Sequence, residues 1–174
     1  QSGLGLPDEA YYREEAHAET LSAYEKHVAE MLEFLDPARL FGLGAEVAAH
    51  RIVALEKELA AGHWDVVSTR DAVKTYNPCE FSELPTMTRA LLSGGNLPEH
   101  RVVNMMPSYL EHFEGLFTSN RMADWQLWAT WHILRSRAAM LPEEVGAKNF
   151  EFYGTKLSGA TQQRDRWKRA VGLA

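Results

Sequence analysis

One cysteine, Cys79, among 174 residues leaves no partner for an internal disulfide and too few thiols for a cysteine-based zinc ribbon or finger. The redox compartment stays open on that count. Long apolar runs are missing as well, since nothing approaches the ~20 residues of a membrane span. Positive charge is scarce: 18 Lys and Arg stand against 24 Asp and Glu, a net charge of -6, which argues against nonspecific nucleic-acid binding. Gln1 opens neither a signal peptide nor a start codon, so the chain reads as a piece of something longer. What is present, 45% apolar and 24% charged residues, is the profile of one soluble globular domain over residues 1–174. At that length folding buries about two-thirds or more of the unfolded surface, so stability requires neither metal nor disulfide.

Charge is unevenly spread. Residues 8–36 hold nine acids against Arg13 and Lys26, whereas residues 155–174 hold Lys156, Arg164, Arg166, Lys168 and Arg169 against Asp165 alone. The basic end reads either as an anion patch or as a helix with cations toward its C-terminus, where the macrodipole favours them; the low pI supports the second.

Helical periodicity dominates. After Asp8, the positions Leu21, Tyr24, Val28, Met31, Leu32 and Leu35 recur at steps of three and four and predict a long helix ending near Asp36-Pro37. Ala48, Ile52, Leu55 and Leu59 predict a second helix from Ala45 to Gly62. A third, shorter one is expected between Trp64 and Tyr76, and a fourth capped by Ser82 and closed by Gly94-Gly95. Residues 94–106 carry the one credible strand, around Val102-Val103 after Pro98. Pro107 opens a helix with the stripe Tyr109, Leu110, Phe113, Leu116 and Phe117. The next, capped by Ser119 or Asn120, carries Trp125, Leu127, Trp128, Trp131, Leu134, Ala138 and Leu141 on more than one face and is expected to be central. Pro142 ends it or opens its successor, Gly146, Gly154 and Gly159 suggest loops, and a last helix starts near Thr161. The expected fold is mainly α, a bundle-like domain with at most one or two short strands.

Motifs for chemistry are nearly absent. None of the seven histidines has a second histidine four places on, as a His-Glu-x-x-His helix requires. Glu14 with His17 makes one Glu-x-x-His unit of the kind a di-iron bundle uses twice, and no second copy exists. Cys79 lies between Pro78 and Glu80, with no base or cation beside it to activate a thiolate, and reads as a structural or incidental thiol. Gly3-Leu4-Gly5-Leu6-Pro7 is glycine-rich, but Pro7 lacks an amide donor and no strand precedes it, so a dinucleotide cradle is excluded. The segment reads instead as a crossing stretch or structural motif comprising Gly3, Gly5, Pro7, Tyr11 and Tyr12. Trp125, Trp128 and Trp131, at helical spacing, read as core rather than as a stacking platform.

The opening Gly3-Leu4-Gly5-Leu6-Pro7-Asp8-Glu9-Ala10-Tyr11-Tyr12 resembles the Gly-Leu-Gly-Leu-Pro-x-x-x-Tyr-Tyr signature of the neprilysin and endothelin-converting-enzyme family of zinc metalloendopeptidases. Leu55-Glu56-Lys57-Glu58-Leu59-Ala60, Tyr76-Asn77, Pro107-Ser108-Tyr109-Leu110, Phe152-Tyr153-Gly154, Leu157-Ser158-Gly159 and Arg166-Trp167-Lys168-Arg169 resemble further family segments in order. The resemblance covers essentially the whole chain. It implies most of a noncatalytic helical N-terminal domain, which caps the catalytic domain and limits access of peptide substrates. The family's zinc ligands and substrate-gripping strand lie C-terminal to the matched region, so no catalytic, metal or substrate-binding residue is assigned here, and zinc is expected only in the full-length parent. The expected partner is the C-terminal catalytic domain of the same polypeptide. Vertebrate members place cysteines shortly after the Tyr-Tyr pair; Arg13-Glu14-Glu15-Ala16-His17 has none, which fits a bacterial, disulfide-free member and leaves the compartment undecided, with cytoplasmic favoured over exported. Two other readings compete: a stand-alone helical protein-interaction module, and a small metal-binding bundle using Glu14, His17 and neighbouring histidines.

Overall fold

The computed structural model describes residues 3–95 and 100–171. In chain order it comprises α1 (Ala10–Arg13), α2 (Ala18–Leu32), α3 (Ala45–Gly62), β1 (Pro78–Cys79), α4 (Thr86–Gly94), β2 (Val102–Val103), α5 (Pro107–Leu116), α6 (Met122–Arg137), α7 (Glu143–Phe150) and α8 (Arg166–Val171). The fold is mainly α, and the sheet found among the described residues is one antiparallel ribbon with Pro78 opposite Val103 and Cys79 opposite Val102. Pro98, expected to flank β2, lies outside the described residues.

The chain forms two compact units, Gln1–Glu15 with Leu55–Ala123 and Ala16–Ala54 with Asp124–Ala174. In the first, Leu4, Leu6 and Tyr12 are buried together with Leu55, Leu59 and Ala60 of α3, and with Phe81 and Leu84. The N-terminus of α4 has Pro85 at its cap position and no side-chain cap of its own, and Glu114 of α5 accepts the Met87 N–H with both carboxylate oxygens at 3.0 Å. In the second unit, Tyr24, Val28, Met31 and Leu32 of α2, Ile52 and Val53 of α3, and Trp131 and Leu127 of α6 form the core. The Trp131 indole N–H donates to the Tyr24 hydroxyl at 2.7 Å, so the most polar points of two buried aromatics satisfy each other. At 100° per residue Trp125 and the Leu127–Trp131–Leu134 row lie on different sides of α6, and both sides are buried while Ile133 is 64% exposed.

Several boundaries differ from expectation for local reasons. The long acidic helix is broken: α1 stops at Arg13, Glu14 is extended, a 3-10 turn spans Glu15–His17, and only then does α2 begin. Residues 13–16 offer little apolar surface to bury, and short helices depend on such burial. No α-helix forms between Trp64 and Tyr76, where a 3-10 turn covers Ser68–Arg70. Asp65 accepts from the Ser68 amide and hydroxyl at 2.8 and 2.7 Å, and Asp71 from the amides of Val73 and Lys74 at 2.9 and 3.0 Å. These local turns compete successfully with a helix. Ser82 is not a helix cap either, since it sits in a 3-10 turn whose capping box is Glu80 and Glu83, and Pro85 holds Leu84 extended so that α4 starts at Thr86. Ser119 and Asn120 belong to a 3-10 turn running directly into α6. Gly146 and Gly154 are not loop glycines: Gly146 is buried in α7, where a Cβ would come within 3.2 Å of the Ala138 carbonyl, and Gly154 lies in a π-helical turn (Glu151–Lys156) against the Phe150 ring. The last helix begins at Arg166, later than expected; its first residue donates to the carbonyls of Met140 and Leu141 at 3.0 and 3.2 Å.

Candidate functional site

The glycine-rich opening is organised by one hydroxyl. Gly5 and Leu6 donate their backbone N–H groups to the Tyr12 hydroxyl, each at 3.0 Å, and that hydroxyl donates to the Glu56 carboxylate at 2.7 Å. One donor and two acceptor positions exhaust what a phenol can offer. Glu56 is fully buried, and Leu4 and Leu6 are buried on either side of Gly5. Gly3 has φ of +88°, a region where side chains are strained. Asp8 accepts from the Ala10 amide at 3.0 Å, which opens α1 after Pro7 and delivers Tyr12 to the core. Burial first, and then the neighbouring Glu56 charge, push the Tyr12 hydroxyl far above its ordinary pKa, so it remains a protonated donor.

Of the five residues singled out in the sequence, the geometry joins Gly5 and Tyr12 directly. Gly3 shapes the approach, Pro7 is exposed, and Tyr11 is half-buried. Glu56 was visible in the sequence only as part of a separate segment. The available signal was its register: four residues after Ile52 and three before Leu59, it puts a carboxylate on the apolar face of α3. The Tyr12–Glu56 bond ties together two segments 44 residues apart that carry the family resemblance.

A second polar site lies in the other unit, where Lys26, His27, Glu30, Lys148, Glu151 and Phe152 line an open cavity of about 360 Å³. Lys148 bridges Glu30 at 2.7 Å and Glu151 at 3.3 Å. Its hydrogen bond to Glu30 raises the lysine pKa and lowers that of the glutamate. His27 is buried, stacked on Phe152 at 4.8 Å between centroids and met edge-on by Trp131 and Tyr153. Burial pushes it down to about 4, with Lys148 acting in the same sense and Asn149, Glu30 and Glu151 opposing. Its Nε2 has no hydrogen-bond partner. His27 is thus a neutral ring packed in an aromatic cage, beside carboxylates that are ion-paired with lysine.

The fold and these contacts can be set beside known proteins. Residues 1–174 match the model for the N-terminal part of peptidase family M13. The chain belongs to peptidase family M13. Neprilysin-2 of Drosophila melanogaster is 28% identical over 189 residues, covering 100% of this chain and 23% of its own. The zinc metalloprotease Zmp1 of Mycobacterium tuberculosis is similar in fold and sequence. Its open state shows 43% identity and a TM-score of 0.83 over 99% of this chain and 28% of that one. Its inhibitor complex shows 41% identity and a TM-score of 0.84 over 99% of this chain and 27% of that one. The chain therefore spans roughly a quarter of these M13 relatives, and corresponds to the N-terminal part of proteases whose catalytic domain follows.

Zinc, the metal of the Zmp1 relative, requires three or more converging side-chain ligands. Among the described residues no group of three or more His, Cys, Asp or Glu is placed to hold a metal ion. Glu14 and His17 are not brought into such a group. No step of a zinc reaction is assigned to the described residues. No helix among the described residues is long and apolar enough to cross a membrane.

Proposed function

We propose that residues 1–174 act as the noncatalytic cap of a zinc-dependent M13 metalloendopeptidase that hydrolyses peptides, covering the catalytic domain of the same polypeptide and restricting which substrates enter. The observation that carries this reading is the match to Zmp1, at 43% identity over 99% of this chain but 28% of that protease. Zmp1 has been solved in open and partially open states, and this chain superposes on both, with TM-scores of 0.83 and 0.77. A segment belonging to a protease that opens and closes is suited to gate access. The Tyr12–Glu56 clamp gives such a cap a rigid local frame, since both partners are buried and the hydroxyl is saturated.

The test uses the full-length protein and substrates of one cleavable sequence in graded sizes, from a short peptide to the same sequence displayed on a folded protein. A steep fall in kcat/KM with substrate size is expected. Cleavage that is independent of size would contradict a restricting cap.

A further inference from the structure

The β1–β2 ribbon carries a cluster of exposed apolar side chains. Val103 is 47% exposed, and Pro78, directly opposite it across the ladder, is exposed too. Continuing the register, the Asn104 amide donates to the Asn77 carbonyl at 2.8 Å, and the next residues along, Tyr76 and Met105, are 67% and 60% exposed. Val73, in the turn that feeds β1, is 86% exposed. Five apolar residues thus lie open around a ribbon of four, a concentration that solvent disfavours and that marks interaction surfaces.

Order and rim point the same way. The Asn77 side chain donates to the carbonyls of Lys74 and Asn104 at 2.8 and 3.1 Å, which staples the turn to the ribbon. The Glu80–Glu83 capping box fixes the chain leaving β1. Lys74 lies over the Trp64 ring at 4.4 Å and Arg101 stands 3.9 Å from Glu80, so charged residues adjoin the apolar centre in sequence, Lys74 beside Val73 and Glu80 and Arg101 next to the two strands. An apolar centre with a polar rim on a preorganised backbone is the anatomy of a protein–protein interface. On the outer edge Pro78 has no N–H to offer an added strand, which favours side-chain packing over extension of the sheet.

We propose that this ribbon face, centred on Tyr76, Val103 and Met105, is where the M13 cap packs against the catalytic portion of its own polypeptide. The inference rests on the cap reading above. The occupant is argued from length: some three-quarters of each relative's chain lies outside the segment matched here, and a rigid apolar face fits a permanent neighbour better than substrates of varied sequence.

The experiment places the photo-crosslinking residue p-benzoylphenylalanine at position 76, 105 or, as control, the exposed Glu111 of the full-length protein, with crosslinked peptides mapped by mass spectrometry. Zinc-dependent peptidase activity is assayed on the same samples. Crosslinks from positions 76 and 105, but not 111, to peptides C-terminal to residue 174 are expected. In an active enzyme, crosslinks confined to residues 1–174, crosslinks to a second copy or another protein, or none at all would overturn the assignment while leaving the cap reading intact. An inactive, zinc-free full-length protein would instead overturn the cap reading and this inference with it. A second readout is the pair Val103→Lys and Met105→Lys: each is expected to increase hydrogen exchange in the catalytic portion without altering exchange at the amides of Gly5 and Leu6. Unchanged exchange throughout would contradict the proposal.

Discussion

Tyr12 carries more of the local structure than any neighbouring side chain, because its hydroxyl satisfies two backbone donors and one buried carboxylate at once. Tyr12→Phe removes the acceptor of the Gly5 and Leu6 amides and the donor to the Glu56 carboxylate, buried hydrogen bonds whose loss costs about 1–3 kcal/mol each. A loss of about 3 kcal/mol or more is expected in urea unfolding, with Glu56→Leu in the Tyr12→Phe background costing much less than Glu56→Leu alone. Additive losses would show that the two groups act independently. Two histidines make the protein acid-sensitive. His27 and His63 are both pushed down by burial to about 4 from an ordinary 6.5, and His112 adds to the effect at His63, which packs edge-on against Tyr109. Their folded-state values lie below the unfolded ones, so the unfolded chain takes up protons more readily. The stability they contribute is fully present above about pH 6.5 and declines as the pH falls toward 4, by up to about 3 kcal/mol for His27 at 1.36 kcal/mol per unit and by less for the more solvent-screened His63. Unfolding midpoints at pH 7 and pH 5 should separate accordingly, and His27→Phe, which keeps the stack on Phe152, should reduce the gap. A midpoint that does not move between those pH values would contradict the burial assigned to both rings.

At the level of elements, the caps and close approaches are the weak points. Glu114→Ala removes the acceptor for the Met87 amide at the start of α4 and is expected to cost about 1 kcal/mol, read by chemical denaturation. Gly62→Ala should cost more, about 1–3 kcal/mol, because a Cβ there would collide with the His112 ring, whose Nε2–H donates to the Glu58 carbonyl at 2.7 Å. The α3, α5 and α6 segments were legible in the sequence, since Ile52–Leu55–Leu59, Tyr109–Phe113–Leu116 and Leu127–Trp131–Leu134 repeat at helical spacing and Pro107 does occupy the first turn of α5. The 64–77 segment was not, because periodicity is blind to Asp65 and Asp71 folding back on nearby amides. β1 was hidden for a related reason: Asn77-Pro78 reads as a turn, and only its partner Val102-Val103, 23 residues further on, makes it a strand. The glycines misled where they serve packing, as Gly146 does beneath Ala138. For the site, the motif containing Tyr12 was visible as a pattern, while its bond to Glu56 required the fold.

For the whole molecule, the M13 match over residues 1–174 is the finding on which the proposed cap rests. The most direct test compares the purified 174-residue chain with the full-length protein on one fluorogenic peptide, each with zinc and with chelator. The account predicts cleavage by the full-length protein that chelator abolishes, and none by the 174-residue chain at any zinc concentration. Zinc-dependent cleavage by the 174-residue chain alone, or a full-length protein indifferent to chelator, would contradict it.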